Sequence, residues 1–405
     1  MAGLGYKSFT SGAVLTASQV QGYLQDQSVM VFDTAAARTT ALGANVATGM
    51  VSFLKATDTN DKANAVEIYD GSKWVSLYAN NSAGANRLLN GDFGIWQRGT
   101  SFSVTATGTY TADRWNNVFD GTAGTKTISQ QTFTPGAAPV TGYESAYFLR
   151  VNQTVAGTGQ TAHGLTQRVE DVRSFAGQTV TFSFWAKAAS SFTRQISFTQ
   201  AFGTGGSATL ADVVTSSFTV GTSWARYSFT VTIPSVAGKT IGTDSFLEAV
   251  IGLPLNSTFT FDVWGAQLEA GTIATDFNTA TGNPASELAA CQRYYFRKVA
   301  ETTGGTFGNG SVNSATTPAI FIPFPAKMRI TPTALEYTGT ASNYAIRAGA
   351  STTACSGTPA IDATGSNSYG ATIYPYVASG LTVGQGCWMV ANTSATAYIG
   401  FSAEL

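Results

Sequence analysis

The residue types that could do chemistry are few and scattered. The 405 residues contain one histidine, His163. A Ser-His-Asp arrangement would have to use it, yet its surroundings, "GQTAHGLTQ", carry no G-x-S-x-G nucleophile elbow. A place in a turn or at a strand edge is expected for it instead. Cys291, Cys355 and Cys387 are far apart and not clustered with histidine, so no zinc site is expected. Their odd number argues against a disulfide framework, although Cys355 and Cys387 could pair in oxidising surroundings. Gly238-Lys239-Thr240 resembles the end of a P-loop, but the first glycine of that motif would fall at Ile233, so the phosphate cradle is missing. Glu170 and Asp171 in "RVEDVR" offer two carboxylates of the kind glycoside hydrolysis needs. Flanked by Arg168 and Arg173, they read as solvated ion pairs. No catalytic residue, metal or cofactor is expected, and the chain reads as non-enzymatic.

A binding surface is the remaining possibility. Sugars present apolar C–H faces and hydroxyl rims, so a site for them combines an exposed aromatic ring with hydrogen-bonding side chains. In "TVTFSFWAKA" Val180, Phe182 and Phe184 share one face, and Thr181, Ser183, Trp185 and Lys187 share the other. Trp185, with Ser183 and Lys187 beside it and Arg226 on the polar side of another strand, is the candidate glycan-binding group. Burial of Trp185 under a neighbouring loop or chain is the competing expectation, since most tryptophans are largely buried. Trp96, Trp115 and Trp264 are read as core.

Residues 1–78 form a small α/β module. Thr16 and Gln19 make a capping box before "ASQVQGYLQDQ". Strand "VMVF", helix "AAARTTAL", strand "GMVSFL" and a hairpin turning at Asp70-Gly71 follow. Residues 79–87 are a Gly/Asn/Ser-rich linker. Residues 88–278 show short strands with period-two alternation, as in "ARYSFTVTI", where Tyr227, Phe229, Val231 and Ile233 alternate with Arg226, Ser228, Thr230 and Thr232. Such a pattern predicts an antiparallel sandwich or jelly roll, with "NGDFGIW" as its first strand and "FDVWGAQLE" beside it. Asn283 as N-cap and Pro284 at N1 predict a helix over 284–298, with Leu288, Cys291 and Tyr295 on one face. Residues 305–405 form a C-terminal β domain. The fold class is mainly β.

Composition narrows the partners. Charged residues make up 11% and the net charge is −1, against about a quarter charged in ordinary soluble domains. No Lys/Arg run offers a footprint to a phosphate backbone, so nucleic acid is excluded as a partner. No stretch approaches the roughly 18 unbroken apolar residues of a membrane span, so no membrane insertion is expected. The N-terminus has no basic region followed by an apolar one, so no secretion signal is read.

Three stretches together resemble a known family. "RLLNGDFGIWQRGTSF" with "YTADRW", "LTQRVEDVRSFAGQTVTFSFWAKA" and "FDVWGAQLEAGTIATDF" resemble the carbohydrate-binding-module-like jelly roll of tailed-phage fibre proteins. "CQRYYFRK", "PFPAKMRITPT" and "GFSAEL" are similar to the C-terminal part of the same proteins. The resemblance spans roughly residues 87–405. It implies a homotrimeric, non-enzymatic virion fibre, folded in the host cytoplasm and carried on the particle surface. Residues 1–78 would join it to other tail or capsid proteins, and the rest would face host-surface glycan. A head fibre or decoration protein and a glycan-depolymerising tailspike are the alternatives. Related sugar-binding modules hold a structural calcium through a Glu after the first-strand Phe. Gly94 stands at that position here, and Asp92 and Asp262 are the nearby carboxylates, so no metal ligand is assigned.

Overall fold

The computed structural model describes residues 12, 14–20, 29–55, 65–76, 86–140 and 143–405. They fall into two units, one drawn from residues 1–85 and 271–276, the other from 86–270 and 277–405. The fold is mainly β with a short α/β region at the N-terminus, as the alternation predicts.

In the first unit the capping box forms. Thr16 N–H donates to Gln19 Oε1 at 3.1 Å and Gln19 N–H to Thr16 Oγ1 at 3.3 Å, opening α1 (Ala17–Val20). The rest of that predicted helix lies outside the described residues, as does 77–85. β1 (Met30–Phe32) pairs in parallel with β2 (Val51–Leu54), so the connection must cross over, and α2 (Ala35–Leu42) supplies it. β3 (Ala65–Tyr69) and β4 (Trp74–Ser76) complete a four-stranded sheet. Asp70 Oδ1 closes their hairpin by accepting the Ser72 and Lys73 N–H groups at 2.8 Å each. Arg38 and Glu67 form a buried ion pair, with the Arg38 guanidinium 4.1 Å from the Trp74 ring centroid.

The second unit opens with a correction. "NGDFGIW" is not a strand: Asn90 and Phe93 both take the left-handed conformation, with φ of 55° and 54°. Asn90 organises this turn. Its Nδ2 donates to the Ile95 and Asp113 carbonyls, its Oδ1 accepts from Ile95 N–H, and its N–H donates to Glu287. The segment still lies beside the "FDVWGAQLE" strand, because Arg87 N–H donates to Leu268 and Ala266 N–H to the Gly91 carbonyl.

Regular strands begin at β5 (Ser101–Ser103), β6 (Thr109–Tyr110), β7 (Asn116–Phe119) and β8 (Thr125–Thr132). They continue with β9 (Tyr147–Val155), β10 (His163–Glu170), β11 (Thr179–Ala188) and β12 (Phe192–Ala201). β13 (Leu210–Val220), β14 (Ala225–Thr232), β15 (Phe246–Gly252) and β16 (Phe259–Ala270) finish the sandwich. Its two six-stranded antiparallel sheets run β14-β11-β16-β9-β8-β5 and β13-β12-β15-β10-β7-β6. Alternation sends Val180, Phe182, Phe184, Ile196, Phe198, Phe229 and Leu268 into one core between them. Trp115 joins that core as expected and Trp96 packs at its edge, whereas Trp264 is buried on the opposite side of its sheet.

α3 (Pro284–Gln292) starts as predicted, with Asn283 Oδ1 accepting Ser286 N–H at 2.9 Å. It ends at Gln292 rather than 298. The aromatic run that follows prefers the sheet, and β17 (Tyr295–Val299) pairs with β25 (Tyr398–Ser402), flanked by β20 (Leu335–Tyr337). Cys291 and Tyr295 are buried while Leu288 is exposed, so they do not form one continuous face. β18 (Thr306–Ser314), β19 (Thr317–Pro323), β21 (Tyr344–Ala348), β22 (Ser351–Asn367), β23 (Gly370–Val377) and β24 (Gly386–Ala391) close into a barrel in the order β18-β19-β23-β22-β21-β24. All three cysteines are free and buried.

Polar side chains join sandwich and barrel. Glu404 is held by Arg98 and Arg114, whose guanidinium groups stack at 3.5 Å on Tyr295 and Tyr294. Glu170 takes Arg293 through both oxygens and accepts the Tyr294 hydroxyl at 2.9 Å. Glu170 therefore serves this joint, while Asp171 makes an exposed pair with Arg173.

Candidate functional site

Cross-strand register builds the candidate surface on the outer face of the sheet containing β11. Trp185 lies opposite Arg226 on β14 and opposite Trp264 on β16. One row along, Lys187 lies opposite Asp262, and Asp262 opposite Arg150 on β9. An aromatic row thus runs beside a charged one.

A bulge makes the aromatic row possible. Between Ser183 and Trp185 on β11 the register against β16 slips by one residue at Gly265, which sits at φ 65°. A Cβ there would lie 2.7 Å from the Trp185 ring. Only glycine meets both the backbone and the space requirement. The bulge keeps Val263 and Leu268 in the main core while Trp264 points outward. Trp185, Trp264, Phe133, Phe148 and Phe277 then form a second small core on this face, with Tyr143 and Trp224 packed at its edge.

The four residues singled out from sequence are brought together, but not as a free stacking platform. Trp185 is 8% exposed and Ser183 fully buried. The Arg226 guanidinium covers the Trp185 ring at 4.4 Å, and its Nη2 donates to Ser183 Oγ at 3.2 Å. Of the two readings of Trp185, burial under neighbouring groups is the one the geometry shows. Sequence reading missed Trp224, in the turn before β14. Its half-buried ring lies 5.4 Å from Phe148 and 5.5 Å from Phe133, and Lys187 Nζ is 5.3 Å from its centroid. A tryptophan straight after the turn "GTS" was a visible signal, because such a ring folds over one end of the sheet.

The charged row is locally cationic. Arg150 grips Asp262 with two hydrogen bonds of 2.7 and 2.8 Å, and Lys187 approaches the same carboxylate at 3.7 Å. The Asp262 hydrogen bonds hold Arg150 more firmly protonated. Lys187 and Arg150 each keep about a third of their side chains exposed. Asn152 and Thr260 continue the row with a 3.0 Å hydrogen bond. The arrangement offers an aromatic edge, two cations and amide and hydroxyl groups. Asp262 is engaged by both cations and faces no second carboxylate in this row. Among the described residues no group of three or more His, Cys, Asp or Glu is placed to hold a metal ion. None of the helices described is long and apolar enough to cross a membrane.

No family model matches the chain, and no curated protein matches it. Among solved structures it is similar to the enzymatically active domain of bacteriophage CBA120 tailspike protein 4, at 14% identity and TM-score 0.30, over 47% of this chain and 22% of that one. It thus spans about a fifth of that tailspike chain. It is also similar to a proposed sugar binding protein from Bacteroides thetaiotaomicron, at 13% identity and TM-score 0.31, over 46% of this chain and 100% of the other. The C-terminal family 22 carbohydrate binding module of Clostridium thermocellum Xyn10B gives 20% identity and TM-score 0.27, over 42% and 96% of the two chains.

Proposed function

We propose that the sandwich is a non-enzymatic glycan-binding module of a phage fibre, and that its ligand lies on the outer face of the β11 sheet. Trp224, Lys187 and Arg150 make the contact, Arg226 flanks it, and Trp185 and Ser183 form the floor beneath. The carrying observation is the half-buried Trp224 ring with Lys187 Nζ 5.3 Å from its centroid, at the head of a row in which Arg150, Asp262, Asn152 and Thr260 follow. This is the combination that meets a sugar's C–H face and its polar rim. Each site would be weak, and several copies on one particle would raise the avidity. The fibre reading adds a homotrimer and attachment to the particle through residues 1–78; a light-scattering mass of one chain would exclude the trimer.

Affinity electrophoresis through gels containing host polysaccharide tests the site. Retardation of the wild type that is lost in Trp224→Ala, with cooperative melting kept, is the expected result. Equal retardation of both proteins would move the ligand elsewhere, and release of reducing ends would replace binding by cleavage.

A further inference from the structure

Between the two sheets, at the end of the sandwich where β8 meets β10, lies a layer that the hydrophobic core does not explain. Lys126 is 2% exposed and His163 3% exposed. Lys126 Nζ and His163 Nε2 are 2.8 Å apart, and His163 Nδ1 is 2.9 Å from the Pro254 carbonyl. That carbonyl can only accept, so Nδ1 carries the proton and Nε2 offers its lone pair to the lysine. The imidazole is therefore neutral and supplies a dipole, not a counter-charge.

Buried lysines are almost always paired with an acid. Here, among the described residues, no carboxylate pairs with Lys126, and the other charge acting on His163 is Arg194, also positive. Arg194 has a buried Nε without a partner. Gln153 is the cross-strand partner of Lys126 on β9, and alternation with Leu149 and Val151 sends its side chain into the same layer. It is 1% exposed, and neither its Nε2 nor its Oε1 has a hydrogen-bond partner. An ammonium with two N–H bonds not taken by His163 and an unpaired amide on the neighbouring strand leave a buried positive charge with no counter-charge among the described residues. The Phe119 ring, 4.1 Å from Lys126 Nζ, and Phe259 wall the layer off from water. Both are too apolar to replace an anion.

We propose that Lys126 and Gln153, backed by His163, form a binding site for a small monovalent anion between the sheets. Its class is halide or simple carboxylate; the enclosure by two phenylalanine rings disfavours anything larger. Burial holds Lys126 down at about 8, still charged at neutral pH, so the demand for a counter-ion persists there.

The test is thermal melting of the full chain at pH 7 and fixed ionic strength, in chloride, bromide, acetate or a bulky monovalent anion. It is paired with diffraction from crystals grown in bromide. Small anions should raise the melting temperature by a few degrees, saturably, and the bulky anion should not. Bromide should give an anomalous peak within hydrogen-bond distance of Lys126 Nζ and Gln153 Nε2. A response confined to chloride and bromide identifies a halide site; a response to acetate, with acetate density in the layer, identifies a carboxylate site. Lys126→Met should abolish the response, and Gln153→Leu should weaken it several-fold if the lysine variant does not fold. Melting indifferent to the anion, or a water in place of the bromide peak, overturns the proposal.

Discussion

Replacing His163 by Gln should tilt the pH dependence of stability in one direction, and replacing Asp113 by Asn should tilt it in the other. Burial, helped by the Lys126 charge, lowers His163 from the ordinary 6.5 to about 4. As pH falls from 6.5 to 4 the unfolded chain takes up a proton that the folded chain refuses. Stability is therefore lost on acidification, by about 3 kcal/mol in full. Asp113 does the opposite. Burial raises its carboxyl from 3.8 to about 6, and the Gln97 hydrogen bonds and Arg98 hold it back only in part. Between pH 6 and 3.8 the folded chain takes up the proton first, so stability is gained on acidification, again by about 3 kcal/mol. Asp92, which burial also raises, acts in the same direction in every variant.

The two effects oppose each other in the wild type, whose stability should change less between pH 6 and 4 than that of either variant. His163→Gln keeps an acceptor for Lys126 and a donor for Pro254 but no titration, so its stability should rise as pH falls through that window. Asp113→Asn, which keeps an acceptor for the Gln97 N–H at 2.9 Å, should lose stability over the same window. Urea midpoints at pH 6.5, 5 and 4, with slopes checked for constancy, read both effects. If His163→Gln followed the wild-type profile, the buried neutral imidazole would not be what sets the acid response.

Trp185→Ala should cost about 3–5 kcal/mol in urea unfolding, since the ring belongs to a packed cluster. A loss below about 1 kcal/mol would instead show an accessible ring. Gly265→Ala should cost roughly 2 kcal/mol or more, because the new Cβ meets both a left-handed backbone and the Trp185 ring; calorimetry reads it. Glu404→Gln should cost about 3 kcal/mol by leaving Arg98 and Arg114 buried without their counter-charge. The urea midpoint reads this one too, and an unchanged value would refute that role.

What could be read from the sequence was whatever depends on neighbours in the chain. Alternation placed Phe182, Phe184, Tyr227 and Phe229 on the core side, and cap residues Thr16 and Asn283 marked helix starts. What could not be read depends on partners far along the chain. Alternation turned Trp185 outward with Arg226 near it, but the rest of its cover comes from Trp264 and Phe277, which lie far along the chain. The aromatic content of "NGDFGIW" suggested a strand, yet Asn90 uses its whole amide to hold a turn, and no local propensity encodes that. His163 was expected in a turn or at a strand edge; it starts β10, but with its ring buried between the sheets.

The low charge content takes on a different meaning once the ion pairs are located. Arg98, Arg114, Arg293 and Arg329 all bind acidic or carbonyl groups across or beside the line where sandwich and barrel meet. Most of these groups are shielded, so salt screens them less than exposed pairs. Arg114 also donates to the Arg168 carbonyl on β10, tying the Glu404 segment directly to a sandwich strand. The β11 face carries a charged row of its own, next to the Asn152 and Thr260 side chains. Lys187 and Arg150 share the single carboxylate of Asp262, which leaves that row with one net positive charge beside Trp224. If the proposed glycan site is there, acidic polysaccharide should be retained more strongly than its neutral counterpart, and the difference should shrink as salt rises. Equal retention of the two, at low and high salt alike, would mean that the ring, and not the charged row, defines the ligand.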